Sequence, residues 1–138
     1  MISDQGEEHA AVRVLYVDDN EVNLRVVAAL LEALNVAVTC CISANEALDI
    51  LGQDEFDIIF TDIHMPEMSG FDVLREVRLR DGPNRAGPVI ALTADLTRDD
   101  REYRELGFDG LLPKPVTLRA LCDILLQFRP ADRRASAA

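Results

Sequence analysis

Lys114 is the single lysine among 138 residues, against thirteen arginines, and it stands between Pro113 and Pro115. A compact ammonium is a different tool from a planar guanidinium, and phosphoryl oxygens commonly bind it. Asp18, Asp19 and Asp62 follow apolar runs, and Thr93 closes another. Three carboxylates brought together repel one another and favour a hard divalent cation. Mg²⁺ suits them, because it takes oxygen ligands and combines one or two carboxylates with waters and phosphate oxygens. A carboxylate can also attack phosphorus to form an aspartyl phosphate. Charge on the equatorial oxygens of the transferring group must then be neutralised. These residue types imply Mg²⁺-dependent transfer of a phosphoryl group to an aspartate. Asp62 would be nucleophile and metal ligand, Asp19 a direct ligand, and Asp18 a ligand through water. Lys114 and Thr93 would each take a phosphoryl oxygen.

Taken singly, each residue has an ordinary reading. Asp18-Asp19-Asn20 could cap a helix, Asp62 could turn the chain, Thr93 could be a spare loop hydroxyl, and Lys114 a solvated charge. The elements that carry them decide otherwise. Residues 12–17 form a short apolar run, a buried strand. Over residues 20–35 the period changes, with Val27, Leu30, Leu31 and Leu34 on one helical face. A second strand is expected at 36–41. Ser43 with Glu46 reads as a capping box opening a helix to about Gly52. A third strand is expected at 57–61, a loop at 65–70, a helix at 71–80, a turn at 81–84 and a fourth strand at 88–92. Thr97 is expected to cap a polar helix over 98–106, stopped by Gly107. A brief strand at 110–112 and a helix at 117–128 close the pattern.

The order is βα five times over. Such alternation predicts a parallel sheet with right-handed crossovers and helices on both faces. Ligands of such sheets bind beyond the carboxyl ends of the strands. Asp18 and Asp19, Asp62, Thr93 and Lys114 all follow strands, so all five converge on one edge.

The length suits one domain. Residues 1–11 and 129–138 read as flexible tails flanking a domain at 12–128. The net charge of −11 argues against nucleic acid or an anionic membrane as partner. No apolar run approaches the roughly 20 residues of a membrane span, and the first eleven residues do not read as a signal peptide. Cys40, Cys41 and Cys122 lack metal-ligand spacing and read as core residues of a protein in a reducing cytosol. The chain is expected to be a cytoplasmic monomer.

The segments Val14-Leu15-Tyr16-Val17-Asp18-Asp19-Asn20, Asp62-Ile63-His64-Met65-Pro66-Glu67-Met68-Ser69-Gly70, Ala91-Leu92-Thr93-Ala94 and Pro113-Lys114-Pro115 resemble the receiver domain of two-component response regulators. The resemblance spans about 12–128, and residues 18–34 look most like receivers attached to hybrid histidine kinases. It implies a flavodoxin-like α/β fold with a five-stranded parallel sheet in order 2-1-3-4-5. It implies Asp62 as phosphoacceptor and Asp18 and Asp19 as the acidic metal pocket, completed by the main-chain carbonyl of His64. Thr93 and Lys114 would read the phosphoryl group. It further implies a cis peptide at Lys114–Pro115, Mg²⁺ as cofactor, a histidine kinase or histidine phosphotransfer protein as donor, and a downstream protein target. Such a module catalyses only its own phosphorylation and dephosphorylation.

Two positions depart from the family pattern. Leu111 stands three residues before the lysine, where most receivers carry Tyr or Phe. His64, two after the phosphoacceptor, reads as an exposed imidazole at the pocket rim. With ten residues after Phe128, no DNA-binding output is expected within the chain. A haloacid dehalogenase-like phosphatase would also form an aspartyl phosphate, but wants an aspartate where His64 stands. A phosphate-blind pseudo-receiver would not need Thr93 and Lys114.

Overall fold

The computed structural model describes residues 12–128. Both expected tails lie outside the described residues. Five parallel strands pair in the order β2-β1-β3-β4-β5. They are β1 (Arg13–Val17), β2 (Ala37–Cys41), β3 (Ile58–Asp62), β4 (Val89–Thr93) and β5 (Gly110–Pro113). The helices between and after them are α1 (Glu21–Ala33), α2 (Ala44–Leu51), α3 (Gly70–Leu79), α4 (Asp100–Glu105) and α5 (Leu118–Gln127). This is the expected flavodoxin-like arrangement.

The central strands are covered on both faces, which is why β3 and β4 are buried throughout and read as continuous apolar runs. Their side chains alternate between two cores. Val14, Tyr16, Ile58, Phe60, Ile90 and Leu92 face α1 and α5, where Leu24, Val27, Leu31, Leu121 and Ile124 meet them. Leu15, Val17, Ile59, Ile63 and Ala91 face α2, α3 and α4 on the other side.

Several local expectations shift. Thr97 does not cap α4; its N–H donates to Asp95 Oδ1. Asp99 is the cap, because its carboxylate accepts from Glu102 N–H while the Glu102 side chain accepts from Asp99 N–H. Two donors of the first turn are thereby met at once, and the helix begins at Asp100 rather than near residue 98. Gly107, at φ +110°, ends the segment in the left-handed region open to glycine. Nor is α4 polar all round. Tyr103 is buried and clusters with Phe71 and Phe108 at ring separations of 5.7–6.3 Å.

At α2, Ser43 Oγ accepts from Glu46 N–H as expected, but the Glu46 side chain reaches past Ser43 to the N–H of Ile42. Asn84 is more than a turn residue. It is buried, donates to the carbonyls of Leu51 and Asp54, and accepts from Phe56 N–H. Of the cysteines, Cys41 is buried and Cys122 half-buried, but Cys40 is exposed on the edge strand, so core packing accounts for it poorly.

Candidate phosphoryl-transfer site

Strand register brings the site together. Val17 is level with Thr61, so Asp18 and Asp62, one residue on, lie side by side. Asp62 is level with Leu92, and Thr93 with Pro113, which leads directly to Lys114. The parallel sheet thus presents four strand ends at one edge, and all five residues expected there are there.

Asp18 is fully buried. Its Oδ1 accepts from Asn20 N–H at 2.9 Å, and its Oδ2 accepts from Tyr16 OH at 2.6 Å and Lys114 Nζ at 3.2 Å. Asp62 is nearly buried and lies 3.0 Å from Lys114 Nζ through Oδ1. Asp19 is exposed. Each of the three carboxylates offers an oxygen within 4.8 Å of the others'. The cluster is an all-oxygen donor set of the kind hard divalent cations select, so the residues fit Mg²⁺.

Electrostatics follow from burial. Loss of water pushes the Asp62 carboxyl above the ordinary carboxylate range; the Lys114 hydrogen bond pulls it back and the Asp18 charge adds to the rise. Burial first, then the bond to Asp18, pushes the Tyr16 phenol far up, so it stays a donor.

Thr93 is buried at the end of β4. Its Oγ1 accepts from Asp95 N–H at 3.0 Å, and its carbonyl accepts from Lys114 N–H at 2.9 Å. The hydroxyl therefore ties the loop after β4 to the site. His64 is exposed, as expected at a rim, with Nε2 4.0 Å from Asp95 Oδ2. The peptide Lys114–Pro115 is cis, as the resemblance implies.

The loop after Asp62 folds beneath it. Glu67 sits at φ +68°, and Gly70 N–H donates to the Ile63 carbonyl at 2.9 Å. A Cβ on Gly70 would lie 2.5 Å from the Asp62 carbonyl oxygen. Only glycine permits that approach. Ser69 then opens α3 through a capping box with Asp72.

Two contributors escaped sequence reasoning. Asp95 carries no signal beyond its place after Thr93. Tyr16 does carry one: a hydroxyl in an aliphatic strand, two residues before Asp18 and so on the same face.

Residues 14–126 match the profile of the response regulator receiver domain. This chain is a member of the response regulator receiver family. Over 118 residues it is 35% identical to the aerobic respiration control sensor protein ArcB of Escherichia coli K12, covering 86% of this chain and 15% of ArcB. It is 33% identical to the sensory/regulatory protein RpfC of Xanthomonas campestris over 126 residues, covering 90% of this chain and 17% of RpfC. It thus spans about a sixth of these curated relatives. Among solved structures, it is similar to the receiver domain of sensor histidine kinase PA1611 from Pseudomonas aeruginosa PAO1, which has magnesium coordinated in its active-site cleft. That likeness has a TM-score of 0.77 and 32% identity, covering 86% of this chain and 98% of that one. The chemotaxis protein CheY4 of Vibrio cholerae superposes with a TM-score of 0.78 at 28% identity, covering 86% and 99%. The chain is therefore a receiver domain of two-component signalling, a signalling module rather than a classical enzyme. Among the described residues no helix is long and apolar enough to cross a membrane.

Proposed function

We propose that this receiver accepts a phosphoryl group on Asp62 from a phosphohistidine, with Mg²⁺ held by Asp18, Asp19, Asp62 and the main-chain carbonyl of His64. The observation that carries the reading is the Lys114 ammonium between Asp62 and Asp18, 3.0 Å from one and 3.2 Å from the other. The cation, when bound, neutralises phosphoryl oxygen charge and the crowding of the carboxylates. Asp62 supplies the oxygen that attacks phosphorus; the P–N bond to the donor imidazole breaks, and that nitrogen recovers a proton. Lys114 moves its charge from the Asp62 carboxylate to the incoming phosphoryl oxygens. Thr93 turns its hydroxyl to another oxygen, drawing on the loop that Asp95 N–H ties to it. Hydrolysis of the aspartyl phosphate by water resets the module, so it catalyses only its own phosphorylation and dephosphorylation.

The domain would comprise residues 12–128 and act as a cytoplasmic monomer. The donor would be a histidine kinase or histidine phosphotransfer protein, and output would pass to a downstream protein target. Likeness to receivers of sensor kinases supports that donor class.

Incubation with Mg²⁺ and acetyl phosphate should raise the intact mass by one phosphate, and Asp62→Asn should abolish the gain. Labelling that persists in that variant, or with the divalent metal chelated, overturns the assignment.

A further inference from the structure

Tyr16 is the one aromatic side chain in β1, and its ring is wholly buried among Val14, Ile58, Phe60 and Leu92. A buried phenol needs a partner for its hydroxyl. Here the partner is a carboxylate of the reacting site: Tyr16 OH is 2.6 Å from Asp18 Oδ2, a short, charge-assisted bond. Asp18 is fully buried, so each of its oxygens depends on protein donors. Oδ1 has the Asn20 N–H, and Oδ2 is shared by the phenol and Lys114.

We propose that Tyr16 is a positioning residue of the cation pocket: its phenol holds the Asp18 carboxylate turned so that it serves a divalent cation together with Asp19 and Asp62. The proposal rests on the phosphoacceptor reading above, which places the cation there. The phenol fixes the rotation of a carboxylate, as hydrogen-bonding partners behind metal ligands do. Without the hydroxyl, Asp18 Oδ2 would keep only the Lys114 ammonium, and the carboxylate would be free to turn with it. That loss of orientation weakens cation binding. Phenylalanine keeps the ring and its packing and removes only the hydroxyl, so Tyr16→Phe isolates the bond.

The test is calorimetric titration of the full chain with Mg²⁺. Wild type should bind, and Asp19→Asn and Asp62→Asn should lose binding. Tyr16→Phe, folded by circular dichroism, should bind about tenfold more weakly. A second arm uses Tyr103→Phe, which leaves Tyr16 as the only tyrosine in a chain without tryptophan. A carboxylate acceptor quenches phenol emission, so the Tyr16 signal should stay quenched with and without Mg²⁺. Equal affinity in wild type and Tyr16→Phe overturns the role of Tyr16 and leaves the cation pocket standing. Emission that rises along the same isotherm as the heat shows that the bond breaks when the cation binds; it overturns the role too, and decides the matter if Tyr16→Phe does not fold. A wild type that binds no Mg²⁺ overturns the cation pocket and this inference together.

Discussion

Lys114 Nζ stands 3.0 Å from Asp62 Oδ1 and 3.2 Å from Asp18 Oδ2, so one ammonium bridges two buried carboxylates from neighbouring strands. The bridge suits a compact charge. A guanidinium is planar and larger, and its fork cannot turn between partners in the same space. Lys114→Arg should keep the fold and slow phosphorylation by acetyl phosphate about tenfold or more, the scale of a lost hydrogen bond to a charged group. Time-resolved intact mass and circular dichroism check both halves. An unaltered rate would show that positive charge alone suffices.

Stability should depend on Asp62 in a pH-specific way. Burial raises its carboxyl above the ordinary range, so the folded state disfavours the ionised form. Its contribution is then most favourable below the ordinary carboxylate value of about 4 and is lost as pH rises through the folded value. Without divalent metal, Asp62→Asn should therefore be more stable than wild type at neutral pH, with the gap closing in acid. Urea midpoints in chelator at both pH values measure it, and a variant that is weaker at neutral pH would contradict the sign.

Gly70 is a packing prediction with a chemical consequence. A methyl there would press on the Asp62 carbonyl oxygen at 2.5 Å and on Ile63. Gly70→Ala should cost about 3 kcal/mol as overpacking against backbone that cannot give way. Because the displaced residue is Asp62 itself, phosphorylation should slow as well. Urea denaturation and the rate of mass gain read the two effects separately.

The thiols should divide by position. Cys41 is buried, and burial first, with Glu46 and Cys40 adding, pushes its thiol up to about 12. Cys40 is exposed. Iodoacetamide at about pH 8, near the ordinary thiol value, should modify Cys40 and spare Cys41 until urea is added. Fragmentation of the labelled peptide assigns the label between these adjacent residues, and prompt labelling of Cys41 in the native protein would show that β2 opens.

The switch should run through the loop after β4. Thr93 Oγ1 holds Asp95 N–H, so a hydroxyl that turns to a phosphoryl oxygen pulls this loop. Leu111, which cannot hydrogen-bond, should stay passive. Amide exchange with and without a beryllofluoride phosphoryl mimic should change across residues 94–106. The Tyr103 ring, packed on Phe71 and Phe108, should make the response of α4 smaller near Tyr103 than in the loop. Protection changes that skip 94–106 would place the switch elsewhere.

Residue types and element order carried the fold and most of the site. Alternating β and α signals leave one sheet class open, and in a parallel sheet every strand ends on the same edge. Asp18, Asp62, Thr93 and Lys114 therefore converge whatever the detailed packing. What only the tertiary structure decided are relations between side chains that share no sequence period. Thr97 read as the cap of the fourth helix, and the reciprocal bond with Glu102 made Asp99 the cap instead. Tyr103 looked like one more residue of a polar helix until Phe71 and Phe108 closed on it. Asn84 sat in a turn signature, yet its amide joins chain segments about thirty residues away. Tyr16 sat in a strand run; the two-residue spacing puts its side chain and that of Asp18 on one face, but nothing local says that both will be buried. Burial decides that: once β1 is covered, each group must find a partner inside the protein, and the long-range packing that covers the strand is not written in its own five residues.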